Sequence, residues 1–244
     1  MRAHARVVAE GARGRSRCTT LRSAPPLTFR ATPDGLHLVG TAAGPVGGDD
    51  LLLEVTVAPG ASLTVRSAAA QLVLPSPTPA TSTTRLVVEV GEEASLTWRP
   101  EPTVLVRAAD HRLTTTIDLA PRADLAWRDE VVLGRDREPS GSLLSRLRVV
   151  RAGVPLLCTE VALGPAWPTS TGPAGTAGAH VVTTTLLVGH PARTLIDLLG
   201  DDAACAARGA RSAALRLADD AIVVTAVGPH LDATRAAASA LGSP

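Results

Sequence analysis

Short runs of alternating apolar and polar residues, cut repeatedly by turn signals, constrain this chain more than any other feature. The clearest run is GGDDLLLEVTVAPGASLTVRSAAAQ, residues 47–71. LLLEVTVA (51–58) and SLTVRS (62–67) flank Pro59-Gly60, and TRLVVEV (84–90) and ASLTWRP (94–100) flank Gly91. Further runs of the same kind are TVLVRA (103–108), HRLTTTIDLA (111–120), DLAWRDEVVLG (124–134), SLLSRLRVVRAG (142–153), VPLLCTEVALG (154–164) and HVVTTTLLVG (180–189). Period two over short, Val/Leu/Thr-rich segments predicts strands with one face buried, and close punctuation predicts antiparallel pairing. The segment 47–71 is then a hairpin, with Gly47-Gly48-Asp49-Asp50 as a tight turn leading into its first strand. Many short strands at about ten-residue spacing fit a sandwich, a barrel or a β-solenoid.

The pattern changes after residue 190. PARTLIDLLGDDAACAARGA (191–210) starts with a proline and spaces Leu195, Leu198 and Leu199 helically, which predicts a helix over 192–208, interrupted at Gly200. SAALRLADDAIVVTAVG (212–228) reads as a hairpin around Asp219-Asp220, and PHLDATRAAASALG (229–242) as a short terminal helix over 230–241. The chain is thus one domain over 1–244, β-rich through 190 and helix–hairpin–helix from 191. PSPTPATSTT (75–84) and GPAWPTSTGPAGTAGAH (164–180) are irregular surface loops.

Composition limits the chemistry. Aromatics are 2% of the 244 residues, so Val, Leu, Ile and Ala must fill the core. All 24 basic residues are arginine, which removes Schiff-base and P-loop lysine chemistry. A formal charge of +1 gives no electrostatic case for nucleic acid as the main partner. Cys18, Cys158 and Cys205 are far apart and lack metal-ligand spacing, which fits a reducing cytoplasm. The N-terminus is rich in arginine without an apolar h-region, so no signal peptide is expected, although transit peptides share that arginine bias. No apolar run is long enough for a membrane helix.

The histidines form no HxH or HExxH pattern, Ser140 lacks the GxSxG context, and no Walker A or GxGxxG element occurs. Asp49-Asp50 lacks the regular oxygen-ligand spacing of a calcium loop. The charged stretch DEVVLGRDREPSG (129–141) reads as a solvated loop with local ion pairs, or as a recognition loop on a rigid scaffold. A binding or scaffold role is favoured over catalysis. An enzyme using Glu130 and Glu138 as an acid–base pair, and an unrelated β-rich binding module, are the alternatives.

The ordered motifs are similar to those of one family. Gly47-Gly48-Asp49 leads into LLLEVTVAPGASLTVRSAAAQ. Pro100-Glu101-Pro102 follows, then Glu130-Val-Val-Leu-Gly134-Arg135 with Glu138 and Gly141, then RLRVVRAGVPLL. This order resembles the urease accessory proteins of the UreD (UreH) type, from about Thr20 to the C-terminus and most clearly from Gly47 to Leu157. The chain departs from the pattern at Ala70-Gln71, where the family often has Thr-Lys, and at Glu138-Pro-Ser-Gly141.

The resemblance implies a mainly β fold of β-solenoid-like stacked sheets of many short strands, with two helices near the C-terminus. It implies a non-enzymatic, cytoplasmic chaperone that binds the urease apoprotein and UreF, and through UreF the GTPase UreG. The assembly would deliver nickel, carried transiently with no tightly bound cofactor, and would involve neither nucleic acid nor membrane. Asp49, Glu101, Glu130 and Glu138 are the candidate carboxylates along a nickel path, since oxygen ligands suit transit better than storage. Arg135 and the stripe Leu195, Leu198 and Leu199 are the candidate partner contacts; the same stripe would also serve to cap the β-core.

Overall fold

The structure is a computed structural model, and it describes residues 1–12, 15–199, 203–207 and 209–241. The chain opens with β1 (Arg2–Ala12), β2 (Arg15–Arg22), β3 (Leu27–Thr32) and β4 (Gly35–Gly40). It then winds as a coil. β5 (Asp50–Val57), β6 (Ser62–Ser67) and the short β7 (Gln71–Val73) make one circuit; β8 (Ser82–Val90), β9 (Ser95–Arg99) and β10 (Thr103–Leu105) make the next. β11 (Asp110–Leu119) and β12 (Asp124–Leu133) begin a third, which β13 (Ser142–Arg151) and β14 (Val154–Leu163) follow. β15 (Val181–Val188), α1 (His190–Leu199), β16 (Ala203–Ala207), β17 (Ala210–Ala218), β18 (Ala221–Gly228) and α2 (Leu231–Ala240) finish the chain.

Two stacked sheets result. The first has the order β14-β13-β11-β8-β5-β1-β2, and the second runs β16-β17-β18-β15-β12-β9-β6-β4-β3. β7 and β10 continue beside β12 as a short third wall. The middle of each sheet is parallel: β1–β5–β8–β11–β13 in one, β4–β6–β9–β12 in the other. Antiparallel pairing, expected throughout, is confined to the flanks, as in β1–β2, β13–β14, β3–β4 and β12–β15–β18–β17–β16. The mainly β, solenoid-like architecture is as anticipated; the pairing direction is not.

Residues 47–71 show why. Leu51, Leu53, Val55 and Val57 of β5 point inward, and Leu63 and Val65 of β6 face them from the opposite sheet. Their connection is therefore a corner between sheets and not a hairpin. Its closing bond, from the Ala61 N–H to the Ala58 carbonyl at 3.0 Å, recurs in Ala94 to Gly91 and Ala123 to Ala120, both 3.2 Å. Ala61, Ala94 and Ala123 stack as buried inner residues of successive corners. The backbone bonds of each strand go to the strands above and below it in the coil. A one-face-buried pattern looks the same in a hairpin and in a corner, so local alternation does not reveal the pairing direction.

The arginine-rich N-terminus forms strands because its arginines and histidine alternate with Ala3, Ala5, Val7 and Ala9, all buried between the sheets. As expected from composition, aliphatic side chains fill the core; Trp98 and Trp127 stack within it at 5.0 Å between centroids. α1 and α2 both cover the outer face of the second sheet, on Leu187, Ile222, Val224 and Ala226. The expected helix over 192–208 ends early. α1 stops at Leu199, and Ala203–Ala207 is a strand antiparallel to β17. The alanines' helix propensity is a weak preference that an open sheet edge overrides. Gly200, where an interruption was expected, and Arg208 lie outside the described residues. The hairpin around Asp219-Asp220 and the terminal helix form as expected. Arg151 of the first sheet and Arg193 of α1 both pair with Asp220, tying that hairpin across the fold.

Candidate functional site

At the end of the coil opposite the stacked corners, the two sheets part around a cavity of about 330 Å³. Leu53, Leu86 and Leu113 line it from the first sheet, Leu38 and Trp98 from the second, and Leu72 from the third wall. The side chains that put polarity into this apolar space include Thr84, Thr115, Thr103, Glu101 and Asp129.

Asp129 is the unusual member. On β12 it follows the inward alternation of Leu125 and Trp127, which places a carboxylate where the pattern calls for an apolar residue. Its Oδ2 accepts a 2.7 Å hydrogen bond from Trp127 Nε1. Burial pushes its pKa up from 3.8 to about 6; the Trp127 bond works against that rise and the neighbouring Glu130 adds to it. At neutral pH the group is an anion facing a low-dielectric cavity, and no ion pair to it is formed among the described residues. The hydroxyl of Thr84, on the facing wall, is buried and has no hydrogen-bond partner among the described residues.

Glu101 belongs to the Pro-Glu-Pro connection between β9 and β10, which is held by the Glu101 N–H donating to Ser67 Oγ at 2.8 Å. Glu101 is exposed at the cavity wall and accepts from Arg235 Nη2 of α2 at 3.3 Å. Glu130 points to the opposite side of β12, beneath α2. It is buried and takes a bidentate grip from Arg235, with Nε to Oε1 at 2.9 Å, and Arg128 Nε lies 3.8 Å away. Arg235 thereby links Glu101 at the cavity to the buried Glu130, and anchors the C-terminal helix.

The other two sequence-derived carboxylates lie in separate places. Asp49 is buried and accepts from the Met1 amino group at 2.6 Å and from the Val46 N–H at 2.8 Å, closing the Gly47-Gly48 turn. Glu138 pairs with Arg135 through Nε at 2.8 Å and Nη2 at 2.9 Å, which holds its pKa down to about 2. This pair folds the 134–141 loop on itself, around a Gly134 of φ +85° whose site has the Glu138 carbonyl 2.2 Å from a would-be Cβ. Thus the structure joins Glu101 and Glu130 through Arg235, and leaves Asp49 and Glu138 apart. No group of three or more His, Cys, Asp or Glu residues placed to hold a metal occurs among the described residues. Of the leucine stripe, Leu195 is buried against the second sheet, Leu199 is half-buried there, and Leu198 is 73% exposed. Sequence reasoning passed over Asp129 as one more charge in a charged segment and did not single out Arg235; the inward register of Asp129 was the available signal.

A family model described as the UreD urease accessory protein matches residues 1–242. The chain belongs to the UreD family of urease accessory proteins. A UreD urease accessory protein of Parafrankia sp. is 43% identical over 201 residues, covering 72% of this chain and 68% of that protein. The UreD protein of Frankia alni is 39% identical over 228 residues, covering 77% and 76%. That of Streptomyces coelicolor is 37% identical over 236 residues, covering 94% and 91%. The family match spans the inter-sheet cavity, the Arg235 anchor and both helices, and it supports a role in urease maturation. Among the described residues, no helix is long and apolar enough to cross a membrane.

Proposed function

We propose that this UreD family member is a non-catalytic, cytoplasmic chaperone. In this reading it binds the urease apoprotein together with UreF- and UreG-type proteins, and passes nickel through its inter-sheet cavity toward the urease active site. The observation that carries the reading is the unpaired, deeply set Asp129 carboxylate in a cavity that also reaches Glu101. Two oxygen donors hold a hydrated divalent ion loosely, and such an ion keeps most of its water shell. Glu101 attracts the ion at the cavity wall. Asp129 draws it inward, because an isolated anion in an apolar cavity gains more from an approaching cation than it would in water. Thr84, Thr103 and Thr115 offer hydroxyls to the ion's water shell. Asp49, Glu130 and Glu138 already spend their oxygens on Met1, Arg235 and Arg135, so within this reading they hold the frame of the path and do not line it. Leu198 is the member of the leucine stripe left open for a UreF-type partner, and Arg135 contributes to partner binding only by opening its pair with Glu138.

The test is co-purification of the full chain with its organism's urease subunits and UreF- and UreG-type proteins, followed by urease activation with nickel. Glu101→Gln combined with Asp129→Asn is expected to leave the complex intact and cut activation severalfold. Full activation by the double variant rejects the path. Failure of the unaltered chain to associate with any component rejects the chaperone role.

A further inference from the structure

The two faces of the sandwich are treated differently. Helices α1 and α2 cover the outer face of the second sheet, and among the described residues no element covers the outer face of the seven-stranded first sheet. Register places its outward side chains in rows that cross the strands. One row carries Arg22, Arg6, Glu54, Val87, Thr116 and Arg148. The next carries His4, Arg85, Arg146 and Glu160, and a third carries Arg2, Asp50 and Arg112. These rows hold seven arginines against three carboxylates, in a chain whose formal charge is only +1.

Arg85 pairs with Asp50, Arg146 with Glu160, and His4 with Glu54. Arg2, Arg6, Arg22, Arg112 and Arg148 are exposed and make no hydrogen bond or ion pair among the described residues. Arg6 lies directly opposite Arg22 across the β1–β2 ladder. Like charges so placed repel each other, and an opposing charge on a partner relieves that. Six inter-strand steps of about 4.8 Å make the face roughly 30 Å wide, about the breadth of one side of a standard protein interface.

We infer that this flat arginine face docks an acidic surface of a protein partner. A nucleic acid suits it less well. The sheet carries no Phe, Tyr or Trp on which bases could stack, and its exposed imidazole, His4, is paired with Glu54. Carboxylates lie within its rows, and Glu89 and Asp118 form an acidic neighbouring row that would meet phosphates with repulsion. A protein surface of mixed charge with acidic excess matches both signs. The inference names the chemistry of a partner surface within the urease-maturation reading, and rests on that reading for the partner's identity.

The test measures binding of the full chain to its organism's urease subunits with UreF- and UreG-type proteins, at low and high salt. Three variants are compared: Arg6, Arg112 and Arg148 all to Ala; the same three to Lys; and Arg30, Arg107 and Arg211 to Ala as a control of equal charge change elsewhere. The face alanine variant is expected to bind about tenfold more weakly and to lose most of the salt dependence, with the lysine and control variants close to the unaltered chain. Undiminished binding by the face alanine variant, with the unaltered chain bound, overturns the inference and leaves the chaperone role standing. If the unaltered chain binds none of the components, the chaperone role fails, and poly-glutamate and a single-stranded oligonucleotide become the probes. Poly-glutamate binding abolished by the face alanine variant upholds the inference. Preference for the oligonucleotide, or binding to neither probe, overturns it.

Discussion

Replacing Asp129 by Asn removes a cavity charge that has no ion pair among the described residues and keeps the acceptor for the Trp127 N–H. In the fold the carboxyl titrates at about 6 instead of 3.8. At about 1.4 kcal/mol per pH unit, ionising it inside the protein costs up to about 3 kcal/mol of stability. Asp129 sits on the cavity wall and water reaches part of it, so about 1–3 kcal/mol is the working range. The sign follows from proton binding. Between about pH 4 and 6 the folded chain holds a proton on Asp129 that the unfolded chain has lost, so this group's contribution falls as pH rises through that window. Asp129→Asn is therefore expected to be more stable than the unaltered protein at pH 7.5, with the gap closing as pH falls toward 4. His111 has its pKa lowered to about 4 by burial and tilts stability the opposite way over a similar window, but it is common to both proteins and cancels in the difference. Urea unfolding at a series of pH values measures the gap. A variant no more stable at pH 7.5, or a gap independent of pH, would refute the placement of an unpaired carboxylate in the cavity. A gain in stability with a loss in urease activation would mark Asp129 as a residue kept for function at a structural cost.

Three further outcomes follow from the packing. Arg235→Met strands Glu130 under α2 and is expected to cost about 2–4 kcal/mol in urea unfolding, much of it recovered when Glu130→Gln is added. Gly91→Ala drives a Cβ to 2.7 Å from the Pro59 nitrogen of the corner below, and about 1–3 kcal/mol lost in thermal unfolding is expected; an unchanged melting temperature would contradict the stacked corners. Leu198→Asp is expected to leave the free energy of unfolding within about 0.5 kcal/mol of the parent and to weaken capture of a UreF-type protein, whereas Leu195→Asp, inside the helix–sheet core, is expected to prevent folding.

The strands were legible because β-structure writes itself locally. Leu51, Leu53, Val55 and Val57 alternate with polar neighbours whatever strand they pair with, and the corners at Pro59-Gly60 and Gly91 interrupt that alternation visibly. The first C-terminal helix carried a leading Pro191 and helically spaced leucines, and the ordered motifs pointed to the family. β1 was equally periodic and was passed over, because its arginines drew the reading toward charge and away from the buried Ala3, Ala5, Val7 and Ala9 between them; β2 has no such alternation. The segment 203–207 misled for the converse reason: alanines favour a helix until a sheet edge offers backbone partners.

The candidate site was less legible. Asp49 in its Gly-Gly turn and Glu138 in its ion-paired loop were readable from near neighbours, but nothing local says that Glu130 lies beneath α2 and that Glu101 reaches a cavity. The β class, the aliphatic core, the helices at the end and membership of the UreD family were legible along the chain, because each depends on residues near one another or on their order. The parallel pairing, the corners, the cavity around Asp129, the Arg235 anchor and the bare arginine face emerged only on folding. Each of those depends on which strand lies beside which, and the energy that selects the neighbour is released only when distant segments close on one core.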